Sequence, residues 1–169
     1  MNPKRIVIDN NFTGELKNQF VGSLKRHLIS VYMPPSVYRA IKPDDNPKEL
    51  LSFIKIKSPS RYELEINPFF FFDFVGQLRV RMNKALRSSS RIISNSREKS
   101  GREALGILRN TYRSTMRDGM LNSQEELDLI FLSMELDAHL VSENETLMDW
   151  ARTFGVKIIS PEDLMKVLD

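Results

Sequence analysis

Residues 123–159 read SQEELDLIFLSMELDAHLVSENETLMDWARTFGVKII. Their apolar pattern predicts a helix, a strand, a helix and a strand, over Ser123–Leu136, His139–Ser142, Glu145–Phe154 and Val156–Ile159. Strands that alternate with helices are typical of a parallel sheet covered by helices. The stretch therefore predicts an α/β fold.

The start of the chain fits the same fold. The β-branched run Arg5-Ile6-Val7-Ile8 predicts a strand with Asp9 at its carboxyl end. A further strand is predicted over Val31–Met33 and a helix over Lys48–Lys55. The helix expected between the two strands rests on an apolar residue at every fourth position, at Leu16, Phe20, Leu24 and Leu28.

The middle of the chain has a different pattern. Two long amphipathic helices are predicted, over Phe69–Leu86 and Leu105–Met116, with a polar loop over Ser88–Ser96 between them. They would form an αα-hairpin, residues 68–118, inserted within a single domain that spans residues 1–169.

Composition limits the chemistry. The 169 residues include no cysteine, which excludes disulfides, thiolate metal sites and thiol nucleophiles and fits a reducing compartment. No apolar stretch approaches the length of a membrane span, and the N-terminus does not resemble a signal peptide. We therefore expect a soluble, cytoplasmic protein with no membrane partner.

Charge is distributed unevenly along the chain. Residues 76–118 hold 11 basic and 3 acidic side chains, whereas residues 119–169 hold 3 basic and 11 acidic ones. This asymmetry suits an enzyme that grips a polyanion with one surface and collects divalent cations at another.

Three separated segments could supply oxygen ligands to one pocket. In an open parallel sheet, ligands collect at the carboxyl ends of the strands, where Asp9 and the Ser142–Glu145 segment are expected. Asp128 lies early in the intervening helix. Such oxygens are the ligands that Mg²⁺ or Mn²⁺ prefers. Taken singly, Asp9 could be a turn former and Asp128 a solvated early-helix carboxylate, and Glu125, Glu126 and Glu145 are individually typical of surface positions.

With these residues in place, the chain resembles the PIN-domain family of minimal protein-only RNase P, the homologues of Aquifex RNase P, also described as RNA ligase partner proteins. The resemblance is carried by Ile6–Asp9 with Phe12-Thr13, Leu121–Ile130, Glu135–Glu145, Trp150-Ala151 and Gly155-Val156. It implies a PIN-like parallel sheet flanked by helices, with the hairpin inserted.

The resemblance also implies an activity. Its members are metal-dependent endonucleases, using Mg²⁺ or Mn²⁺, that remove the 5′ leader of precursor tRNA without an RNA subunit. They form large homo-oligomers whose helical hairpins hold the tRNA. Carried over residue by residue, the family's catalytic and metal positions fall on Asp9, Glu126, Asp128 and Asn144.

Two residues depart from the family pattern. Asn144 stands where the family has Asp, and Asn122 stands where Asp is common. An amide oxygen brings no negative charge, so metal affinity should fall unless Glu143 or Glu145 compensates. We expect reduced cleavage with retained RNA binding.

The predicted hairpin carries a basic surface. Four arginines of its second helix lie within roughly 80° of one another at 100° per residue, and a second basic group lies late in the first helix. Such stripes neutralise phosphates and fit the shape of A-form RNA, although a solvated charged face is the alternative. The residues predicted to bind RNA are Lys84, Arg87, Arg91, Arg102, Arg109, Arg113 and Arg117.

Two other functions also fit the sequence. A toxin-like PIN ribonuclease that cuts single-stranded or messenger RNA would have no obvious use for a basic hairpin of this length. A non-catalytic RNA-binding or ligase-associated module is favoured by Asn122 and Asn144. Cleavage in excess Mn²⁺ distinguishes it, because a binding module stays silent in any metal.

Overall fold

The computed structural model describes residues 3–10, 18–41, 48–60, 64–94, 101–121 and 123–168. The chain divides into two compact units, one formed by Met1–Ile66 with Ser123–Asp169 and the other by Asn67–Asn122. In the described residues the helices are α1 (Asn18–Arg26), α2 (Pro35–Tyr38), α3 (Lys48–Phe53), α4 (Phe69–Ser94), α5 (Gly101–Arg117), α6 (Gln124–Leu136), α7 (Glu145–Thr153) and α8 (Pro161–Leu168).

The first unit is built on a parallel sheet. Its strands lie in the order β3-β2-β1-β4-β5, with β1 at the centre. Strand order reverses between β1 and β4, which makes the carboxyl ends of these two strands the expected place for a ligand. The strands are β1 (Arg5–Ile8), β2 (Ser30–Met33), β3 (Lys55–Ile56), β4 (His139–Val141) and β5 (Ile158–Ile159).

The central strand is buried on both faces. Ile6, Val7 and Ile8 are fully inaccessible, as are Leu140 and Val141 on the neighbouring strand β4. A parallel strand covered by helices on both sides reads as a continuous apolar run rather than as an alternating one. Because Ile6, Val7 and Ile8 are all apolar, this short run is suited to the centre of the sheet, where both faces are buried.

Helix α6 covers part of the sheet and has well-defined ends. It begins after the N-cap Ser123, whose hydroxyl accepts a hydrogen bond from the backbone N–H of Glu126 at 3.3 Å. It ends at Asp137, which adopts a left-handed conformation with φ 45°. The helix contacts β1, β4 and α2, so its first turn lies beside the carboxyl ends of the central strands.

The predicted parallel sheet flanked by helices, with an inserted helical hairpin, is confirmed. The predicted loop over Ser88–Ser96 is wrong, because α4 continues to Ser94. The hydroxyls of Ser90 and Ser94 donate to the carbonyls of Leu86 and Ser90, four residues earlier, which lets a serine-rich segment remain helical.

Other boundaries also differ from the predictions. The helix expected over Lys48–Lys55 ends at Phe53, and Lys55–Ile56 joins the sheet beside β2. Leu28, expected on the apolar face of the first helix, follows that helix with φ 54° and is 86% exposed. Leu16 lies outside the described residues. Strand β5 is shorter than predicted and starts at Ile158.

The second unit consists of α4 packed against α5. Ala85 of α4 and Thr115 of α5 are buried. Arg81 of α4 ties the end of α5 in place, because its guanidinium donates to the carbonyls of Asp118 and Gly119 at 2.7 and 2.6 Å. Gly119 has φ +67°, a left-handed conformation that favours glycine, and a Cβ there would lie 2.9 Å from the end of the Arg81 side chain.

No helix among the described residues combines the length and the apolar character that crossing a bilayer would require.

Candidate active site

A cleft of about 240 Å³ opens at the carboxyl end of β1 in the first unit. Parallel strands bring Asp9 there from β1, and the first turns of α6 and α7 complete its walls. The cleft is lined by Asp9, Asn10, Val37, Ala40, Ser123, Glu125, Glu126, Leu129, Asn144 and Leu147. Three of these are carboxylates, and none of the other lining side chains carries a charge.

Asp9 is held in the cleft by the neighbouring strand β4. Ile8 pairs with Val141 in the sheet, so the residues that follow them, Asp9 and Ser142, lie side by side. The buried Ser142 hydroxyl donates to a carboxylate oxygen of Asp9 and accepts from the backbone N–H of Asn144 at 3.0 Å. Strand register therefore fixes the position of a carboxylate that is only 3% exposed.

Asn144 connects α7 to Glu126. It is the N-cap of α7, and its Oδ1 accepts from the backbone N–H of Leu147 at 3.2 Å. Its Nδ2 donates to Oε1 of Glu126 at 3.1 Å. Both ends of the amide group are thus engaged, one in capping a helix and the other in holding a carboxylate of the cleft.

Asp128 lies apart from the cleft lining. It follows Glu126 by two residues, about 200° around the helix, and so points to a different side of α6. It is 3% exposed and accepts a hydrogen bond from the Ser36 hydroxyl of α2 at 2.8 Å. The structure therefore brings together Asp9, Glu126 and Asn144 and places Asp128 between α6 and α2.

Glu125 lines the cleft, although its sequence context is typical of a surface position. Hydrogen bonds from its own backbone N–H and from the Ser123 hydroxyl hold the pKa of this exposed carboxyl below its ordinary value. It is therefore ionised at neutral pH. Glu143 and Glu145, the expected compensators for Asn144, are exposed and are not among the lining residues, and Asn122 lies outside the described part of the chain.

The donor set of the cleft fits a hard divalent cation in part. Carboxylate oxygens of Asp9, Glu125 and Glu126 are suitable ligands, whereas the Asn144 oxygen is turned to a backbone N–H. Among the described residues, no three His, Cys, Asp or Glu side chains already form a group that could hold a metal ion.

His139 is half-buried and begins β4, at the end of the strand away from the cleft. Burial is the main cause that lowers its pKa, and the charge of Lys157 lowers it further. The imidazole is therefore neutral at pH 7.

The cleft also collects the amino ends of two helices. The N-cap residues of α6 and α7, Ser123 and Asn144, both line it. The amino end of a helix carries a partial positive charge and favours anions nearby, including phosphates. These helix ends stabilise the carboxylates of the cleft and suit an anionic substrate.

The basic residues expected to bind RNA are all exposed in the second unit. Lys84 is ion-paired with Asp118 at 3.0 Å, which offsets part of its charge. On α5, Arg109 and Arg113 are one helical turn apart, and the half-exposed Tyr112 directly precedes Arg113. The stripe predicted on α5 is therefore exposed to solvent.

Comparison with known proteins agrees with this fold. Residues 13–169 match the family described as PINc domain ribonuclease. A protein of Thermodesulfovibrio yellowstonii named RNA-free ribonuclease P is 35% identical over 161 residues, which cover 90% of this chain and 82% of that protein. A protein of the same name from Hydrogenobaculum sp. is 32% identical, over 84% of this chain and 78% of that protein. Another, from Nitrosococcus oceani, is 34% identical, over 89% of this chain and 80% of that protein.

The α/β fold with acidic residues at the carboxyl end of its central strand is that of a PIN-type nuclease. The chain belongs to the RNA-free ribonuclease P family of PINc domain ribonucleases. The matched region begins after Asp9, so the placement of Asp9 rests on the geometry of β1 rather than on the family match.

Proposed function

We propose that this protein is an RNA-free ribonuclease P that hydrolyses one phosphodiester of precursor tRNA and releases the 5′ leader, in the presence of Mg²⁺ or Mn²⁺. The observation that carries the proposal is the buried Asp9 beside Glu126 in the cleft of a chain with this family membership. We place the reaction in the cytoplasm, which suits a cysteine-free sequence.

The residues of the cleft have separable roles in this proposal. Asp9 and Glu126 would hold the divalent cation, with Glu125 able to add a third carboxylate. When bound, the cation supplies polarisation of the scissile phosphate and a water of lowered pKa. Ser142 keeps Asp9 oriented, and Asp128, bonded to Ser36, fixes α6 against α2. The amino ends of α6 and α7 favour the approaching phosphate.

The second unit would supply RNA affinity. The exposed arginines of α5, together with Arg87 and Arg91 of α4, present cations that can neutralise phosphates without reading bases. Shape-based binding suits folded tRNA, because the deep major groove of A-form RNA hides its base edges from side chains.

Incubation with 5′-labelled precursor tRNA in Mg²⁺ or Mn²⁺ tests the function, with each cut mapped to the nucleotide. A single cut that leaves the mature 5′ end is expected, and chelation of the metal should abolish it. Cuts scattered through single-stranded regions, or metal-independent cuts, would contradict the proposal.

A second candidate is an RNA-binding protein with a weakened catalytic site. The hydrogen bond from Asn144 to Glu126 favours it, because that amide replaces a negative charge in the cleft. Excess Mn²⁺ distinguishes the two: binding of precursor tRNA without any cleavage in Mn²⁺ is the result that a pure binding module gives.

We also propose that the protein works as a large homo-oligomer. In the single chain, large apolar side chains of α4 are exposed, among them Phe72 at 78% and Val80 at 68%. Patches of this kind mark protein contact surfaces. We expect Phe72→Glu with Val80→Glu to reduce the molar mass in light scattering, whereas Met165→Glu, at an exposed apolar side chain of the first unit, should not. An unchanged mass in the double variant would remove this face from the interface.

A further inference from the structure

We propose that the Asn144 amide takes the place of a bound cation in the cleft. Its N–H donates to the Glu126 carboxylate and holds that carboxylate in place when no metal is bound. The inference rests on the proposed function only for the role of the cleft. Nδ2 of Asn144 lies 3.1 Å from Oε1 of Glu126 and donates a hydrogen bond to it.

The orientation of this amide is fixed by chemistry. The backbone N–H of Leu147 can only donate, so the atom of Asn144 that faces it must be oxygen. The carboxylate oxygens of Glu126 accept, so the atom that faces them must be nitrogen. Turning the amide over would place a donor against a donor and an acceptor against an acceptor.

This arrangement opposes metal binding at one position. The Asn144 oxygen already accepts from the Leu147 N–H, and the nitrogen that faces Glu126 cannot ligate a metal, so the amide has one remaining lone pair to offer a cation. If the side chain rotated to present its oxygen fully, both hydrogen bonds would break together and α7 would lose its cap. We therefore expect the cleft to bind a divalent cation more weakly than it would with a carboxylate at position 144, and to keep its geometry without one.

The substitution Asn144→Asp would change both the cation affinity of the cleft and its stability without a cation. One carboxylate oxygen could still cap α7 through Leu147, since Asp is as good an N-cap as Asn. The other oxygen would face Glu126, and two like charges in contact disfavour the folded state. A divalent cation between them would remove the repulsion and gain a second charged ligand.

Thermal unfolding and Mn²⁺ binding, followed by electron paramagnetic resonance, test the proposal without any RNA. In EDTA, Asn144→Asp should melt about 3 °C or more below the parent chain. Mn²⁺ should raise its melting temperature well above the shift seen for the parent, and its Kd for Mn²⁺ should be at least about tenfold lower.

The matched control is the double variant Asn144→Asp with Glu126→Gln. It restores an amide facing a carboxylate, with the two groups exchanged, so its melting temperature in EDTA should return towards that of the parent. The gain from Mn²⁺ should shrink at the same time. Equal melting of Asn144→Asp and the parent in EDTA, or equal Mn²⁺ affinity, would overturn the proposal. Failure of either protein to cut precursor tRNA bears on the proposed function alone.

Discussion

Replacing Asp9 by Asn should reduce the rate of precursor tRNA cleavage at least about a hundredfold while the protein stays folded. The carboxylate is nearly inaccessible and is the one acidic group of the cleft that the central strand supplies. The substitution removes its negative charge and halves its ligating oxygens, with almost no change in volume. An activity loss is therefore expected from chemistry rather than from packing.

The fold should tolerate the change because the Ser142 hydroxyl, one partner of Asp9, can bond to either side chain. Ser142 can donate to an amide oxygen as it does to a carboxylate, and the strand pairing of Ile8 with Val141 does not depend on the side chain. Single-turnover kinetics with excess enzyme measures the chemical step, and a melting curve checks the fold. RNA affinity, measured by filter binding in the same buffer, should stay within about a factor of three.

Asp149→Asn is the charge-matched control. Asp149 is exposed on α7 and pairs with Arg152 at 2.5 Å, outside the lining of the cleft. An exposed pair of this kind contributes little to stability, so this variant should cleave at the parental rate. Parental cleavage by Asp9→Asn would place the chemistry elsewhere in the molecule.

Much of the fold follows from local sequence. The apolar runs at Arg5–Ile8 and His139–Val141 are short, and helical periodicities separate the strands, so a covered parallel sheet is the arrangement that buries them. Strand β3 could not be predicted in this way. It consists of two exposed residues, Lys55 and Ile56, and only its pairing with β2 defines it as a strand.

The site was predictable only where local sequence determines the position of a residue. A strand end places Asp9 at the edge of the sheet from sequence alone. Its hydrogen bond with Ser142 requires the register between β1 and β4, which local sequence does not contain. Likewise, the rotation of α6 about its axis decides that Glu126 faces the cleft and that Asp128 faces Ser36. That rotation is set by packing against β1, β4 and α2.

Charge reversal on α5 should weaken RNA binding strongly. Arg109 and Arg113 are exposed one turn apart, and Arg109→Glu with Arg113→Glu changes the local charge by four. We expect the Kd for precursor tRNA to rise at least about tenfold at physiological salt. The slope of log K against log salt concentration should fall by about two, one for each phosphate that the variant no longer neutralises.

The salt slope is the decisive measurement, because a general change in net charge also lowers affinity. Arg152→Glu with Lys166→Glu makes the same change on α7 and α8 of the first unit, where both side chains are exposed. This control should keep the parental slope. An unchanged slope in the α5 variant would remove that helix from the RNA interface. A reduced slope there, with the control unaffected, would assign phosphate binding to the hairpin, since only ion pairs formed in the complex release counterions.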